Sequence, residues 1–232
     1  MHINNNSKIL IIAAHPDDEV LAMGGSMAKF REMGAEITVK FLGEGISARF
    51  SREDIGSQEF IRQTEIRKNG AVNALNYLGV ENVIFDERLC CRFDGLEILD
   101  IVKDIEKTIQ DHTPTLIFTH NPVEVNIDHR ICYRAVETAV RPKIGQKIEA
   151  VYSFEIVCSG NWTFSEQFKP TTYVDILNFW THKLDAWHFY AGEERPFPFP
   201  RSDEGLKALA QYRGLQSGMT LAEGFRVLRE VF

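Results

Sequence analysis

The chain is short of cysteine, of long apolar runs and of positive charge, and each shortage removes a class of protein. Its four cysteines stand at 90, 91, 132 and 158. That spacing fits neither a Cys-x-x-Cys zinc knuckle nor a disulfide framework. They are read as reduced and mostly structural, which suits a cytoplasmic protein. The adjacent Cys90-Cys91 is read as a buried structural pair ahead of a redox site. No stretch approaches the roughly 20 apolar residues that span a bilayer. The opening Met1-His2-Ile3-Asn4-Asn5-Asn6 has no basic region before an apolar core, so no signal peptide is expected. A net charge of −7 argues against a nucleic-acid partner. Internal repeats and low-complexity linkers are missing too, so residues 1–232 are expected to form one domain.

What is present is a regular alternation. The β-branched run Ile9 to Ile12 reads as a buried strand, and Pro16 breaks it. Asp17 and Asp18 stand where a helix begins, and Leu21 to Met33 continues it until Gly34. Gly24 and Gly25 let this helix approach either a substrate or a packing neighbour. Ile37 to Leu42 is a second strand, ending in the flexible Gly43-Glu44-Gly45. Residues 46–57 read as a mobile loop and Ser57 to Tyr77 as a long helix. Arg62, Glu65 and Arg67 belong to a solvated face of that helix, from which Arg67 is the arginine placed against a substrate. Asn82 to Phe85 is a third strand, and Leu96 to Gln110 an amphipathic helix. Thr115 to Thr119 is a fourth strand, followed by a helix to about Val140 that Asp128 can cap. Strands and helices in this order predict an α/β fold over residues 8–145: a Rossmann-like three-layer sandwich, its mostly parallel sheet covered by helices on both faces. Residues 146–232 carry strands Ile148 to Phe154 and Thr172 to Ile176. Helices follow at Phe179 to Ala191 and, capped by Ser202, at Asp203 to Leu215. This part is expected to complete the sheet's edge and line a cleft.

The first turn is not Gly-x-Gly-x-x-Gly, so a dinucleotide is not the expected ligand. In its place His15, Asp17, Asp18 and Glu19 crowd the carboxyl end of the first strand, the edge where open α/β sheets bind ligands. Three acids beside a neutral imidazole repel one another unless a cation sits among them. The mixed nitrogen and oxygen set suits zinc or a similar divalent metal. A second cluster, Glu124, Asn126, Asp128, His129 and Arg130, follows the strand that ends at Thr119. Together the clusters offer three ligands, His15, Asp18 and His129. Asp17 then stands free to take a proton from metal-bound water. Such parts hydrolyse an amide. His120 ends a strand pointing toward the cleft and is carried as a substrate contact or a supporting group, while His182 and His188 are read as packing. Two other readings stay open. A two-metal phosphoesterase would need more carboxylates than Glu44 and Asp86 supply, and a binding module would keep the metal or sugar without chemistry.

At Ala14-His15-Pro16-Asp17-Asp18-Glu19 and Asn126-Ile127-Asp128-His129 the chain resembles the LmbE-like, or PIG-L, family of zinc-dependent N-deacetylases. Arg201-Ser202, Arg213-Gly214, Gly218 and Ala222-Glu223-Gly224-Phe225 extend the resemblance from near residue 8 to near residue 225. It implies that His15, Asp18 and His129 hold Zn2+ or another divalent metal such as Fe2+. It makes Asp17 the general base and Asp128 a residue that orients its neighbours. The implied reaction removes acetate from an N-acetylated amino sugar or its conjugate. Many members carry His where this chain has Asn126, and that His stabilises the oxyanion or protonates the leaving amine. Asn can donate a hydrogen bond to a substrate oxyanion but not a proton. His120 or protonated Asp17 is left to protonate the amine. The expected partner is a small amino-sugar substrate; Phe197 and Phe199 leave self-association open.

Overall fold

The computed structural model describes residues 1–164 and 166–231. Strands β1 (Lys8–Ala13), β2 (Glu36–Gly43), β3 (Asn82–Arg88), β4 (Leu116–Thr119) and β5 (Ala150–Phe154) run parallel. Helices cover both faces of these strands, which is why β1, β2 and β4 read as nearly continuous apolar runs. Along β1 the faces still alternate. Ile9, Ile11 and Ala13 join one core layer, with α1 (Asp18–Glu32), α2 (Gln58–Tyr77), α5 (Trp180–His188) and α6 (Asp203–Ser217). Leu10 and Ile12 join the other, with α3 (Ile98–His112) and α4 (Ile127–Ala139). This is the expected α/β sandwich.

The sheet order is β3-β2-β1-β4-β5-β7-β6, where β6 is Thr172–Asp175 and β7 is Ala222–Glu230. β7 runs antiparallel to both β5 and β6 and lies between them, although it follows both in the chain. The progression β1-β2-β3 goes one way and β4 starts on the other side of β1. The crevice between the carboxyl ends of β1 and β4 is therefore the topological switch point.

Local chemistry fixes the boundaries. Ser57 Oγ accepts from the Phe60 N–H and Ser202 Oγ from the Gly205 N–H, so both serines cap their helices. Asp128 does not cap α4. Asn126 does, its Oδ1 accepting from the Asp128 N–H at 2.9 Å. Inside α1, Met23 leaves helical geometry at φ −148°. A Cβ on Gly25 would lie 2.9 Å from Ile176, and one on Gly24 3.1 Å from Lys183 Cγ. These glycines thus serve packing. The amides freed near the kink, Gly25 N–H and Ser26 N–H, donate to the buried Glu223 carboxylate, which also holds Lys183. β7 has no counterpart among the expected strands: Glu223 and Gly224 interrupt its apolar pattern, and their reasons for being there are tertiary. No helix among the described residues is long and apolar enough to cross a membrane.

Candidate metal and active site

The β1 turn and the start of α4 meet at the switch point. Asp17 sits at φ +120°, ψ −30°, a region that non-glycine residues occupy only when their surroundings force them there. This conformation lets the chain double back so that Asp18 Oδ2 accepts the His15 N–H at 2.9 Å. Asp18 Oδ2 then lies 3.7 Å from His15 Nδ1 and 3.4 Å from His129 Nε2. All three side chains are buried, and one donor atom from each falls within 4.8 Å of the others.

Each imidazole is anchored by its other nitrogen. His15 Nε2 donates to Asp128 Oδ2 at 2.9 Å. Asp128 is itself held by the amides of Cys91 and Phe93. His129 Nδ1 faces Glu124 Oε2 at 3.4 Å, and Ser159 Oγ donates to that same oxygen at 2.5 Å. A carboxylate behind each imidazole fixes its tautomer and ring orientation, as in carboxylate–histidine–metal triads. Burial opposes charge on His129, but the Asp18 and Glu124 carboxylates outweigh it and push its pKa up to about 10. Burial would raise Asp18, yet His129 holds it well below the usual carboxylate range. Asp18 Oδ1 is buried and has no partner among the described residues, a position a buried carboxylate oxygen rarely keeps. Two nitrogens and one carboxylate, with an oxygen still unpartnered, fit a zinc-type ion.

Asp17 stands beside this set in a second charged network. Its Oδ2 takes Arg67 Nη1 at 2.9 Å and Arg201 Nη1 at 2.8 Å. Arg67 also pairs with Glu193, which Arg49 binds through both carboxylate oxygens. Burial raises the Asp17 pKa above its ordinary value, and the two guanidiniums offset that only in part. Behind it, Glu19 accepts from the Tyr190 hydroxyl and the Asp17 N–H, and burial pushes it up to about 8 against the Tyr190 bond.

The family model described as PIG-L, GlcNAc-PI de-N-acetylase, matches residues 10–140, a span that contains all three donors. The chain belongs to the PIG-L family. A diacetylchitobiose deacetylase of Thermococcus kodakarensis is 25% identical over 99% of this chain and 86% of its own length. A 4-oxalmesaconate hydratase of Pseudomonas putida is 27% identical over 90% of this chain and 80% of its own. Among solved structures, the N,N'-diacetylchitobiose deacetylase from Pyrococcus horikoshii superposes with a TM-score of 0.78 at 21% identity. That superposition covers 96% of this chain and 84% of that one, and it shows a shared fold.

In this PIG-L chain the sequence-derived residues fall into three positions. His15, Asp18, His129 and Asp17 share one pocket, with Asp128 directly behind His15. Asn126 is half-buried at the mouth, its carbonyl committed to the α4 cap. His120 takes the supporting role and not the substrate contact, and Arg67 differs from expectation. His120 is fully buried and stacks on His129 with ring centroids 4.0 Å apart. Its Nε2 accepts the Ala14 N–H at 2.9 Å, so the ring is neutral there, and burial lowers its pKa to about 4. His120 supports the pocket floor and has no surface to offer a substrate. Arg67 is buried, off the solvated face assigned to it, and its guanidinium is occupied by Pro16 O, Asp17 and Glu193. His182 and His188 are exposed, and His188 pairs with Asp203. In the sequence Glu124 reads only as a polar neighbour, and no motif singles out Glu193. Nothing in spacing shows that either carboxylate faces a ligand or an arginine across the sheet.

Proposed function

We propose that this PIG-L chain is a metal-dependent hydrolase that removes the N-acetyl group from an amino sugar or its conjugate. The observation that carries the reading is the buried His15–Asp18–His129 set, with a carboxylate behind each imidazole and a strained aspartate at its edge. The deacetylase names of the family and of the T. kodakarensis relative agree with it. His15 Nδ1, His129 Nε2 and Asp18 are the donors for Zn2+, or a comparable divalent ion. Such an ion polarises a carbonyl and lowers the pKa of water to roughly 7.

The chain's own groups do the rest. Both guanidiniums bind Oδ2 of Asp17, which leaves Oδ1 to accept the proton of the attacking water. The raised pKa suits that task, because a base works best near its operating pH. The same proton can pass to the amine as the C–N bond breaks. His120 is too buried and too weakly basic for that step. Asn126 Nδ2 donates to the developing oxyanion while Oδ1 stays on the helix cap. The working unit is the whole chain, because Arg201 comes from beyond residue 145. The four free thiols suit the cytoplasm.

Glu44 and Asp86 do not build a second metal site. Glu44 is consumed by the amides of Ile46, Ser47 and Cys90, and Asp86 by Lys40 and Arg88. These two carboxylates therefore do not support the phosphoesterase reading. A hydratase is the second reading, favoured by the P. putida relative at comparable identity. Acetate release from N-acetylglucosamine derivatives, run beside loss of 4-oxalmesaconate absorbance, separates the two. Asp17→Asn should keep stoichiometric metal and lose turnover by about 100-fold or more. Acetate release undiminished in Asp17→Asn would overturn the base assignment, and hydration without acetate release would overturn the deacetylase.

A further inference from the structure

The Cys90–Cys91 pair lies on the loop after β3 and takes no part in the chemistry above. Cys90 is buried and Cys91 is exposed, so this is not the buried pair expected. Their Sγ atoms are 3.7 Å apart. Cys90 Sγ also lies within 4.8 Å of donor atoms of His15 and Asp128. The backbone amides of the same two residues fix the loop. Cys90 N–H donates to Glu44 Oε1 at 2.8 Å, and Cys91 N–H donates to Asp128 Oδ2, the oxygen that orients His15. Cys91 holds φ +57° to do so. Cys132 and Cys158 are buried elsewhere, so this pair presents the accessible thiol.

We propose that Cys90–Cys91 is a reversible oxidation site whose vicinal disulfide withdraws the Cys91 N–H from Asp128 and loosens His15. The oxidant is a peroxide. Sulfur of Cys91 attacks one peroxide oxygen, the O–O bond breaks, and the departing hydroxide takes the thiol proton as water. This leaves a sulfenic acid. Cys90 sulfur then displaces the sulfenic oxygen, which leaves with the second thiol proton as another water. Two thiols and one hydrogen peroxide thus give one disulfide and two waters, and two electrons pass from sulfur to oxygen.

The coupling to the loop follows from chain geometry. Neighbouring Cα atoms sit about 3.8 Å apart across a trans peptide, whereas ordinary disulfides hold theirs roughly 4.4–6.8 Å apart. A ring between adjacent cysteines closes only if the backbone between them turns. The group that turns with it is the Cys91 amide on Asp128. The same misfit makes the bond easy to reduce, hence reversible.

The test treats the purified, metal-loaded protein with a small excess of hydrogen peroxide and reads intact mass, a peptide map and hydrogen exchange. The expected product is lighter by about 2 Da, with the bond mapped to Cys90–Cys91 and reversed by dithiothreitol. Exchange in a peptide covering 89–95 should rise about tenfold in the oxidised protein. Cys91→Ser should show neither change. If that variant folds poorly, native-state alkylation of Cys91 in the wild type should block the mass loss instead. Oxygen adducts on Cys91 without mass loss would overturn the disulfide, and a disulfide with unchanged exchange would overturn the lever. The consequence for metal rests on His15 being a ligand, and the oxidised form should then lose zinc to a chelator faster. Failure to bind zinc before treatment would sink the functional reading while mass and exchange still judge the disulfide.

Discussion

Replacing Asp128 with Asn tests the support behind His15 most directly. Asp128 is fully buried and accepts three N–H groups. Its Oδ2 takes His15 Nε2 and Cys91 N, and its Oδ1 takes Phe93 N. Asparagine offers one acceptor oxygen and one NH2. With the oxygen toward His15 and Cys91, the NH2 meets the Phe93 N–H. The Phe93 N–H and the amide's own N–H are then both unpaired, and each unpaired buried donor costs roughly 1–3 kcal/mol. For a chain of this size that is about 2–12 °C in Tm per donor. With the amide reversed, the NH2 faces His15 Nε2, and the ring can accept only by moving its proton to Nδ1, the nitrogen on the Asp18 side. In both orientations the negative charge behind the imidazole is gone. Losing such a partner weakens metal binding about 10–100-fold, or about 1.4–2.8 kcal/mol. The assay is zinc competition against a chromophoric chelator, with thermal unfolding of the metal-free and zinc-loaded protein alongside. A folded Asp128→Asn protein with wild-type zinc affinity would refute the reasoning, whatever its Tm. Glu124→Gln, behind His129, should weaken zinc in the same way.

Further outcomes follow from other residues. Glu19 has a folded pKa of about 8 against an ordinary 4.5, so between those values the folded chain holds a proton that the unfolded chain has released. Stability must then fall as pH rises through that window, and Glu19→Gln should flatten the slope of Tm between pH 5 and 8; equal slopes would contradict it. Gly25→Ala places a methyl 2.9 Å from Ile176 and should destabilise by roughly 1–3 kcal/mol in urea unfolding. Gly24→Ala meets Lys183 Cγ at 3.1 Å, and its gain in helix propensity, about 1 kcal/mol, should bring it close to neutral. At position 126, Asn126→Asp keeps the cap acceptor but removes the N–H donor, so kcat should fall with Tm preserved. Asn126→His should raise kcat while the weakened cap costs about 1 kcal/mol, and an unchanged kcat in Asn126→Asp would remove Asn126 from the oxyanion role.

The parallel half of the fold was legible because burial on both faces writes itself into composition. β1, β2 and β4 are apolar runs, and a strand followed by a helix leaves few topologies. The meeting of His15, Asp18 and His129 was legible for a related reason. His15 and Asp18 belong to one turn, and His129 repeats the arrangement after β4, so the switch point joins them. What stayed hidden depends on partners distant in sequence. Arg67 sits at a helical position that reads as solvated, and it is Asp17 and Glu193, both distant in sequence, that occupy its guanidinium in the buried site. His120 looked aimed at the cleft until the Ala14 amide and the His129 ring closed over it. β7 was missed because Glu223 carries the amides of the α1 kink and Lys183, a duty no local pattern announces.

The place of β7 has a bearing on how the chain is made. Among the described residues β6 hydrogen-bonds to the sheet only through β7, which is later in sequence. During synthesis β6 must wait without a partner, and β5 keeps an open edge until β7 arrives to fill the gap. An unpaired edge of this kind is a template for association between nascent chains. The donors of the site are all translated before that gap closes, whereas Glu223, which binds α1 behind Asp18, arrives with the closing strand. Slower translation or lower temperature should therefore change the yield of folded protein more than its final stability.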